Sequence, residues 1–314
     1  MTALVDRYGG IVCDLDGVVY RGPVAVDGAV EALNALPIPV VYATNNASRP
    51  PEEVAAHLQE LGIHLTAAMV LNSSITGAAA LRDHLPAGAV VMAVGGVGVS
   101  RALAAADLVA VEPGARPENE IAGVLQGYGP LVNATHLAEA AYAIEHGAVW
   151  VATNDDATLP TDRGQAPGNG ALVAALRLAV DRAPIVVGKP HPPMYALAAT
   201  RLGITPAQTL AVGDRLETDI EGAHATGMES ALVLTGVHSV ADAAAAPLHR
   251  RPTYLLADLR GLLEEYREPT QTDGWWVCGA SRARWEGDRA VVEGPRDTVE
   301  AGRATLAATW ALRG

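Results

Sequence analysis

The stretch Ile11-Val12-Cys13-Asp14-Leu15-Asp16-Gly17-Val18 places two carboxylates directly after a short run of β-prone residues. Residues 11–14 predict a strand, and the run PVVYA at residues 39–43 predicts a second one. Between them, residues 28–36 carry apolar side chains at helical spacing. A strand, a helix and a further strand in this order are typical of parallel α/β architecture. We therefore expect both carboxylates at the carboxyl end of a parallel strand.

The same alternation continues along most of the chain and predicts a Rossmann-like, doubly wound parallel sheet. Further strands are expected at residues 70–71, 90–94, 121–126, 148–152, 185–187, 209–212 and 231–234, and helices at residues 51–62, 74–85, 98–106, 134–145, 169–181 and 193–202. In sheets of this kind, binding and catalytic groups lie at the carboxyl ends of the strands. Polar side chains that follow a predicted strand are therefore the first candidates for functional residues.

The last part of the chain breaks this pattern. Residues 267–274 are polar and predict a linker. Two runs at residues 275–280 and 289–293 then predict strands, and residues 296–312 predict a helix with an apolar stripe. We expect a small ββα appendage.

Composition narrows the class of protein. The net charge of −13 at pH 7 argues against nucleic acid and anionic membranes as partners, because both are bound by basic surfaces. No charged-then-apolar leader opens the sequence, and no apolar run approaches the roughly 20 residues of a membrane span. The two cysteines, Cys13 and Cys278, have no metal-ligand spacing and are too few for a disulfide framework. These features predict a cytoplasmic protein.

The chain contains a single lysine, Lys189, and otherwise uses arginine for positive charge. A single lysine in an arginine-rich chain suggests a position where a planar guanidinium cannot replace a compact ammonium. Compositional bias with one random leftover is the alternative. Because Lys189 follows the predicted strand at residues 185–187, we favour a functional role.

The two carboxylates of the opening stretch suit phosphoryl transfer. A carboxylate nucleophile can take a phosphoryl group and pass it to water, while a second acid protonates the leaving oxygen. Asp14 is the candidate nucleophile and Asp16 the candidate general acid, then general base. Gly17 permits the sharp turn that lets both face one pocket. A loop with two solvated aspartates is the structural alternative for this stretch taken alone.

Three further groups follow predicted strands. The hydroxyl and the backbone amides of Thr44-Asn45-Asn46 could bind phosphate oxygens, although a turn or helix cap is the everyday use of Thr and Asn. Lys189 offers a point charge for phosphate. Asp214 could ligate a hard cation and Asp219 could hold that cation's waters, with a helix cap as the alternative. Each element alone is weak evidence, but four in order at strand ends predict a phosphatase site with a divalent metal.

These four motifs resemble those of the haloacid dehalogenase-like hydrolases, in the same order. The stretch Ala152-Thr153-Asn154-Asp155-Asp156, with Pro160, Gly164 and residues 167–173, is similar to the cap signature of subclass IIA, the NagD-like phosphatases. The resemblance implies an α/β cap domain inserted between the Thr44 and Lys189 motifs. The expected domains are a discontinuous core at residues 1–80 and 184–265, a cap at 81–183 and a C-terminal extension at 266–314.

The resemblance also implies a magnesium ion held by the Asp14 carboxylate, the Asp16 backbone carbonyl and Asp214. The family's first motif usually ends in Thr, where this chain has Val18. Residues 213–223 and 250–254 are similar to actinobacterial glycerol-3-phosphate phosphatases, which also carry a C-terminal extension. The expected substrate is a small phosphorylated metabolite, first glycerol 3-phosphate, with phosphoglycolate, pyridoxal phosphate, nucleotides and sugar phosphates as alternatives. A homodimer is an open option for the assembly.

Other functions fit the residues less well. Receiver-type signalling domains also combine a phosphorylatable Asp, an acidic metal pair, a Thr and a Lys, but they are shorter and place the acidic pair first. Phosphomutases share the nucleophile and usually carry a helical cap. A binding or regulatory role of the tail is a third alternative. Gly95-Gly96-Val97-Gly98 lacks the spacing of a dinucleotide site. Among the histidines, His191 is the candidate for substrate contact, whereas Asp155-Asp156 is interpreted as a structural loop.

Overall fold

The computed structural model describes residues 2–161, 163–287 and 289–313. The chain forms two compact units, the first of Met1–Val41, Leu61–His64 and Ala199–Gly314 and the second of Tyr42–Glu60 and Leu65–Ala198. The predicted division into core, cap and extension draws its boundaries at other positions and stays a prediction.

The elements follow one another as expected for an α/β chain, with short strands and turns added between them. In chain order the strands are β1 (Gly10–Asp14), β2 (Tyr20–Arg21), β3 (Val24–Ala25), β4 (Val40–Thr44), β5 (Val70–Asn72), β6 (Val90–Val94), β7 (Val109–Val111), β8 (Ile121–Gln126), β9 (Val149–Ala152), β10 (Thr158–Thr161), β11 (Gly164–Pro167), β12 (Ile185–Val186), β13 (Thr209–Gly213), β14 (Glu229–Val233), β15 (Tyr254–Leu256), β16 (Thr270–Thr272), β17 (Trp275–Cys278), β18 (Ser281–Glu286) and β19 (Arg289–Glu293). The α-helices are α1 (Ala29–Ala35), α2 (Pro51–Glu60), α3 (Ser73–His84), α4 (Val97–Ala105), α5 (Ala134–Glu145), α6 (Asn169–Arg177), α7 (Pro192–Leu202), α8 (Glu221–Thr226), α9 (Val240–Ala245) and α10 (Val299–Arg313).

The first unit is built on parallel strands in the order β15-β14-β13-β1. Strand β1 is buried from Gly10 to Cys13, which is expected for an apolar strand covered on both faces. Its register places Cys13 opposite Val212 of β13. Residues that follow β1 and β13 therefore emerge at the same edge of the sheet.

The second unit contains a five-stranded parallel sheet in the order β12-β9-β8-β6-β7. The side chains of β6 alternate between its two faces. Met92 and Val94 pack in one apolar cluster with residues of α5 and α6, while Val91 and Ala93 pack in another with residues of α3 and α4. Helices thus cover both faces, as in a doubly wound sheet. The α/β fold class with parallel sheets is confirmed.

The tail is more extensive than the predicted ββα unit. Strands β16-β17-β18-β19 form an antiparallel sheet, and α10 packs on it. The predicted linker at residues 267–274 contains β16, and β18 lies between the two predicted strands. Leu306 of α10 is buried in a cluster with Leu232 and Leu255, so the tail shares an apolar core with β14 and β15. In the described part of the chain, no helix has the length and apolar content needed to cross a membrane.

Candidate active site

Asp14 and Asp16 lie in a tight turn at the end of β1. The carbonyl of Leu15 accepts the amide of Val19 at 2.8 Å, and Gly17 donates its amide to the carbonyl of Tyr20 at 2.9 Å. Gly17 has φ +82°, a conformation that favours glycine. The Asp16 side chain is exposed, whereas that of Asp14 is partly buried. The turn thus separates a sheltered carboxylate from one in contact with water.

Gly17 is also required by space. A Cβ atom at this position would lie 2.4 Å from Oδ2 of Asp214. At Gly236 the corresponding distance to the same oxygen is 1.9 Å. Two glycines therefore leave room for the Asp214 carboxylate between two stretches of backbone.

Asp214 follows β13 directly and is buried, with 1 % of its surface exposed. Its Oδ2 accepts the amide of Val237 at 2.8 Å. Asp219, 3 % exposed, lies on a single π-helical turn, Leu216–Ile220, and its Oδ2 accepts the amide of Arg215 at 3.1 Å. Both carboxylates are thus fixed by backbone donors from the segments that follow β13 and β14.

Three of these carboxylates converge within the first unit. One oxygen each from Asp14, Asp214 and Asp219 lies within 4.8 Å of the other two. Anionic groups held this close, two of them buried, repel one another unless a cation balances them. Carboxylate oxygens are the donors that hard divalent cations such as Mg²⁺ prefer. The donor set therefore fits the predicted magnesium ion, and Asp219, which was predicted to hold the waters of that ion, belongs to the same cluster.

The predicted phosphate-binding residues and the lone lysine lie in the second unit, where Asn45 joins them. Oδ1 of Asn45 accepts the amide of Lys189 at 2.7 Å, and its Nδ2 donates to the Lys189 carbonyl at 2.9 Å. Nδ2 also donates to the Asp156 carboxylate at 3.1 Å. The side-chain amide of Asn45 therefore holds the backbone of Lys189.

Lys189 itself is buried, with 4 % of its surface exposed, and its Nζ donates to the carbonyl of Ala43 at 3.4 Å. The hydroxyl of Thr44 accepts the amide of Asn46 at 3.2 Å, which leaves its hydrogen to donate. Asn46 is exposed, and its Oδ1 accepts the amide and hydroxyl of Ser48. Within this unit the end of β4 and the segment after β12 are thus tied together.

The loop after β9 supports the same arrangement. Asn154 donates to the Asn45 carbonyl at 2.8 Å. Asp155 accepts a hydrogen bond from Nε2 of His191 at 3.1 Å, and this bond lowers the pKa of the Asp155 carboxyl below its usual value. His191 is thus hydrogen-bonded to Asp155, and the Asn-Asp-Asp loop holds the segment that carries Lys189.

The loop after β14 is the part of the site that the sequence reasoning missed. The hydroxyl of Thr235 donates to the Gly17 carbonyl at 2.8 Å. Nδ1 of His238 accepts the amide of Leu216 at 3.2 Å, and its Nε2 lies 3.4 Å from Glu217. Residues 235–238 thus link the Gly17 turn to the turn that carries Asp219. The Thr235-Gly236 pair, one residue after β14, was the available signal, since it follows a strand of the same sheet.

The chain is similar to known hydrolases over most of its length. The family model described as haloacid dehalogenase-like hydrolase matches residues 11–109, and the one described as HAD-hydrolase-like matches residues 186–262. The D-glycerol 3-phosphate phosphatase of Mycobacterium tuberculosis is 41% identical over 318 residues, covering 100% of this chain and 89% of that protein.

Solved structures show the same similarity. The glycerol phosphate phosphatase of Mycobacterium tuberculosis, crystallised with magnesium, superposes with a TM-score of 0.87 at 40% identity, covering 99% of this chain and 93% of that one. NagD from E. coli superposes with a TM-score of 0.72 at 29% identity, covering 80% of this chain and 97% of that one. About a fifth of this chain therefore has no counterpart in NagD.

Proposed function

The chain belongs to the haloacid dehalogenase-like hydrolase family, and on this premise we propose that it is a magnesium-dependent phosphatase that hydrolyses glycerol 3-phosphate through a phosphoryl group carried on Asp14. Phosphatase activity as such follows from the family and from the named activity of its full-length relative. The substrate, the metal and the residue roles are the proposal.

The convergence of Asp14, Asp214 and Asp219 is the observation that carries the mechanism. A carboxylate of Asp14 would attack phosphorus, the ester P–O bond would break, and Asp16 would donate a proton to the leaving oxygen. Water would then attack the same phosphorus, Asp16 would take its proton, and the bond to Asp14 would break to release inorganic phosphate. The exposure of Asp16 favours this exchange of protons with water.

The remaining roles follow from charge and position. A magnesium ion held by Asp14, the Asp16 carbonyl and Asp214 would offset the negative charge of the phosphate. Asp219 would ligate it directly or orient it, as its place in the carboxylate cluster suggests. Lys189 and the Thr44 hydroxyl, with Asn46, would bind phosphate oxygens. Asn45 would position Lys189 through its two backbone hydrogen bonds.

Glycerol 3-phosphate is supported by similarity that extends over the whole chain, tail included. Phosphoglycolate, pyridoxal phosphate, nucleotides and sugar phosphates are the alternatives. Phosphate release from each compound with Mg²⁺ should give the highest kcat/KM for glycerol 3-phosphate, by about tenfold or more, which corresponds to roughly 1.4 kcal/mol of transition-state binding. A higher value for another compound would replace the substrate without affecting the phosphatase assignment.

The organisation of the protein completes the proposal. A core at residues 1–80 and 184–265, a cap at 81–183 and an extension at 266–314 remain the proposed domains. We propose a cytoplasmic location, where the buried Cys13 and Cys278 would be kept as thiols. The homodimer remains a prediction, and light scattering of the purified protein would measure it directly.

A further inference from the structure

A cleft of about 570 Å³ lies within the first unit, away from the candidate active site. Leu234, Val240 and Ala257 line it together with residues of β19, of the segment 296–298 and of the start of α10. None of the predicted catalytic or metal-binding residues lines it. Small-molecule sites commonly measure about 300–1,000 Å³, so the cleft has room for a small metabolite.

Two of the residues that line the cleft, Arg289 and Arg296, are positively charged. Arg289 and Arg296 are exposed, and neither side chain forms an ion pair or a hydrogen bond with another described residue. Arg282 and Arg284 of the neighbouring strand, by contrast, each pair with a glutamate and stack on Trp275. Asp297 is the carboxylate in the lining, which leaves the wall with a net positive charge.

The rest of the lining is mainly apolar. Leu234, Val240 and Val299 are partly buried and belong to the cluster that joins the tail to the sheet. A bare inorganic ion would leave this surface in contact with water, whereas an apolar body would cover it. We propose that the cleft binds a small organic anion, with its apolar body against these three side chains and its carboxylate, sulfonate or phosphate group toward Arg289 and Arg296.

The position of the cleft indicates what binding would do. Leu234 directly precedes Thr235, whose hydroxyl holds the Gly17 carbonyl, and Val237, whose amide holds the Asp214 carboxylate. A ligand that displaces Leu234 would therefore also displace the following loop, which holds the proposed metal ligand Asp214. This consequence, which rests on the proposed function, is that an occupied cleft changes the Mg²⁺ dependence of turnover.

Binding can be measured without substrate. The probe is 8-anilinonaphthalene-1-sulfonate, which joins an aromatic body to one sulfonate, titrated by fluorescence against the full-length protein. We expect Arg289→Ala combined with Arg296→Ala, and separately Ala257→Trp in the exposed wall, to weaken the binding at least tenfold. Replacing both arginines by lysine should restore most of it.

A matched control removes two other exposed arginines. Arg177 and Arg182 lie outside the cleft, and their side chains form no hydrogen bond or ion pair with another described residue. Their double alanine variant should bind the probe like the wild type, and circular dichroism should show all variants folded. Equal binding by wild type and both cleft variants, or no saturable binding at all, would overturn the proposed site.

The consequence for turnover needs a second titration. The Mg²⁺ concentration for half-maximal hydrolysis of p-nitrophenyl phosphate should change at least twofold when the probe saturates the wild type, and it should not change in Ala257→Trp. An unchanged Mg²⁺ dependence in the wild type with the probe bound would refute the coupling. Because the binding titration contains no substrate, failure of the site and failure of the phosphatase proposal give different results.

Discussion

The absence of a side chain at Gly17 leaves room for the Asp214 carboxylate. Its Cβ would lie 2.4 Å from Oδ2 of Asp214, and its φ is +82°. Gly17→Ala should therefore displace a proposed metal ligand and raise the Mg²⁺ concentration for half-maximal activity by about tenfold or more. Activity measured across a magnesium series checks this expectation.

Gly22 provides the matched control, since it also has positive φ, +57°, but nothing lies within 4 Å of its added Cβ. Gly22→Ala carries a similar backbone cost of about 1 kcal/mol without touching Asp214. If both variants lose magnesium affinity equally, backbone strain and not the carboxylate contact is responsible.

Lys189 is buried, and Asn45 holds its backbone on both sides. An ammonium is a compact point charge, whereas a planar guanidinium is larger and has a different donor geometry. Lys189→Arg should reduce kcat roughly hundredfold with little change in unfolding temperature. Arg177→Lys, the reverse exchange at an exposed position, should leave kcat unaltered. Full activity of Lys189→Arg would show that the lone lysine is a compositional accident.

At the scale of single residues, the sequence was sufficient to predict the functional side chains that lie at or after the ends of strands. Asp14, Asp214 and Asp219 were all named from their places after apolar runs, and the structure brings them together. The amide of Val237 could not be predicted, because a backbone donor has no residue type of its own. The role of the Asn45 side chain in holding Lys189 was also not predicted, because only the backbone amide of Asn45 had been assigned a role.

At the level of elements, α10 is the part of the tail that joins it to the parallel strands. Leu306 is buried with Leu232 and Leu255, and buried Arg303 donates from Nε to the Leu255 carbonyl at 3.0 Å. Leu306→Ala should lower the free energy of unfolding by about 2–5 kcal/mol. Leu312 of the same helix is 60 % exposed, and Leu312→Ala should cost less than about 0.5 kcal/mol. Urea unfolding of both variants measures the difference.

Equal stability of Leu306→Ala and the wild type would mean that the tail is attached loosely. In that case removal of residues 266–314 should leave the remaining chain as stable as before. With the packing described above, the truncated chain should instead unfold at a lower urea concentration, because the apolar surfaces of β14 and β15 lose their cover.

Prediction of the elements succeeded where runs were apolar and failed where they were not. Strand β6 is apolar throughout and is buried on both faces, so its sequence was unambiguous. Strand β18 is Ser-Arg-Ala-Arg-Trp-Glu, in which small Ser281 and Ala283 point inward and Arg282 and Arg284 outward. Alternation is present there, but small inward residues give it too little hydrophobic contrast. Strand β16 is exposed along its length, so the pattern contained no sign of burial.

Across the whole molecule, each compact unit carries one part of the proposed chemistry. The first holds the carboxylates Asp14, Asp16, Asp214 and Asp219, and the second holds Lys189 with Thr44, Asn45 and Asn46. In the proposed domains all of these residues belong to the core. The mechanism they support depends on one claim, that Asp14 forms the bond to phosphorus.

Trapping the phosphoryl group on Asp14 tests that claim most directly. An acyl phosphate is reduced by borohydride whereas a free carboxylate is not, so quenching the turning-over enzyme with borohydride should convert Asp14 to homoserine. Peptide mass spectrometry should find this change at Asp14 alone, and Asp14→Asn should lose both the modification and turnover while remaining folded. Steady turnover with no reduced residue, or with the modification at Asp16 or Asp214, would contradict the mechanism.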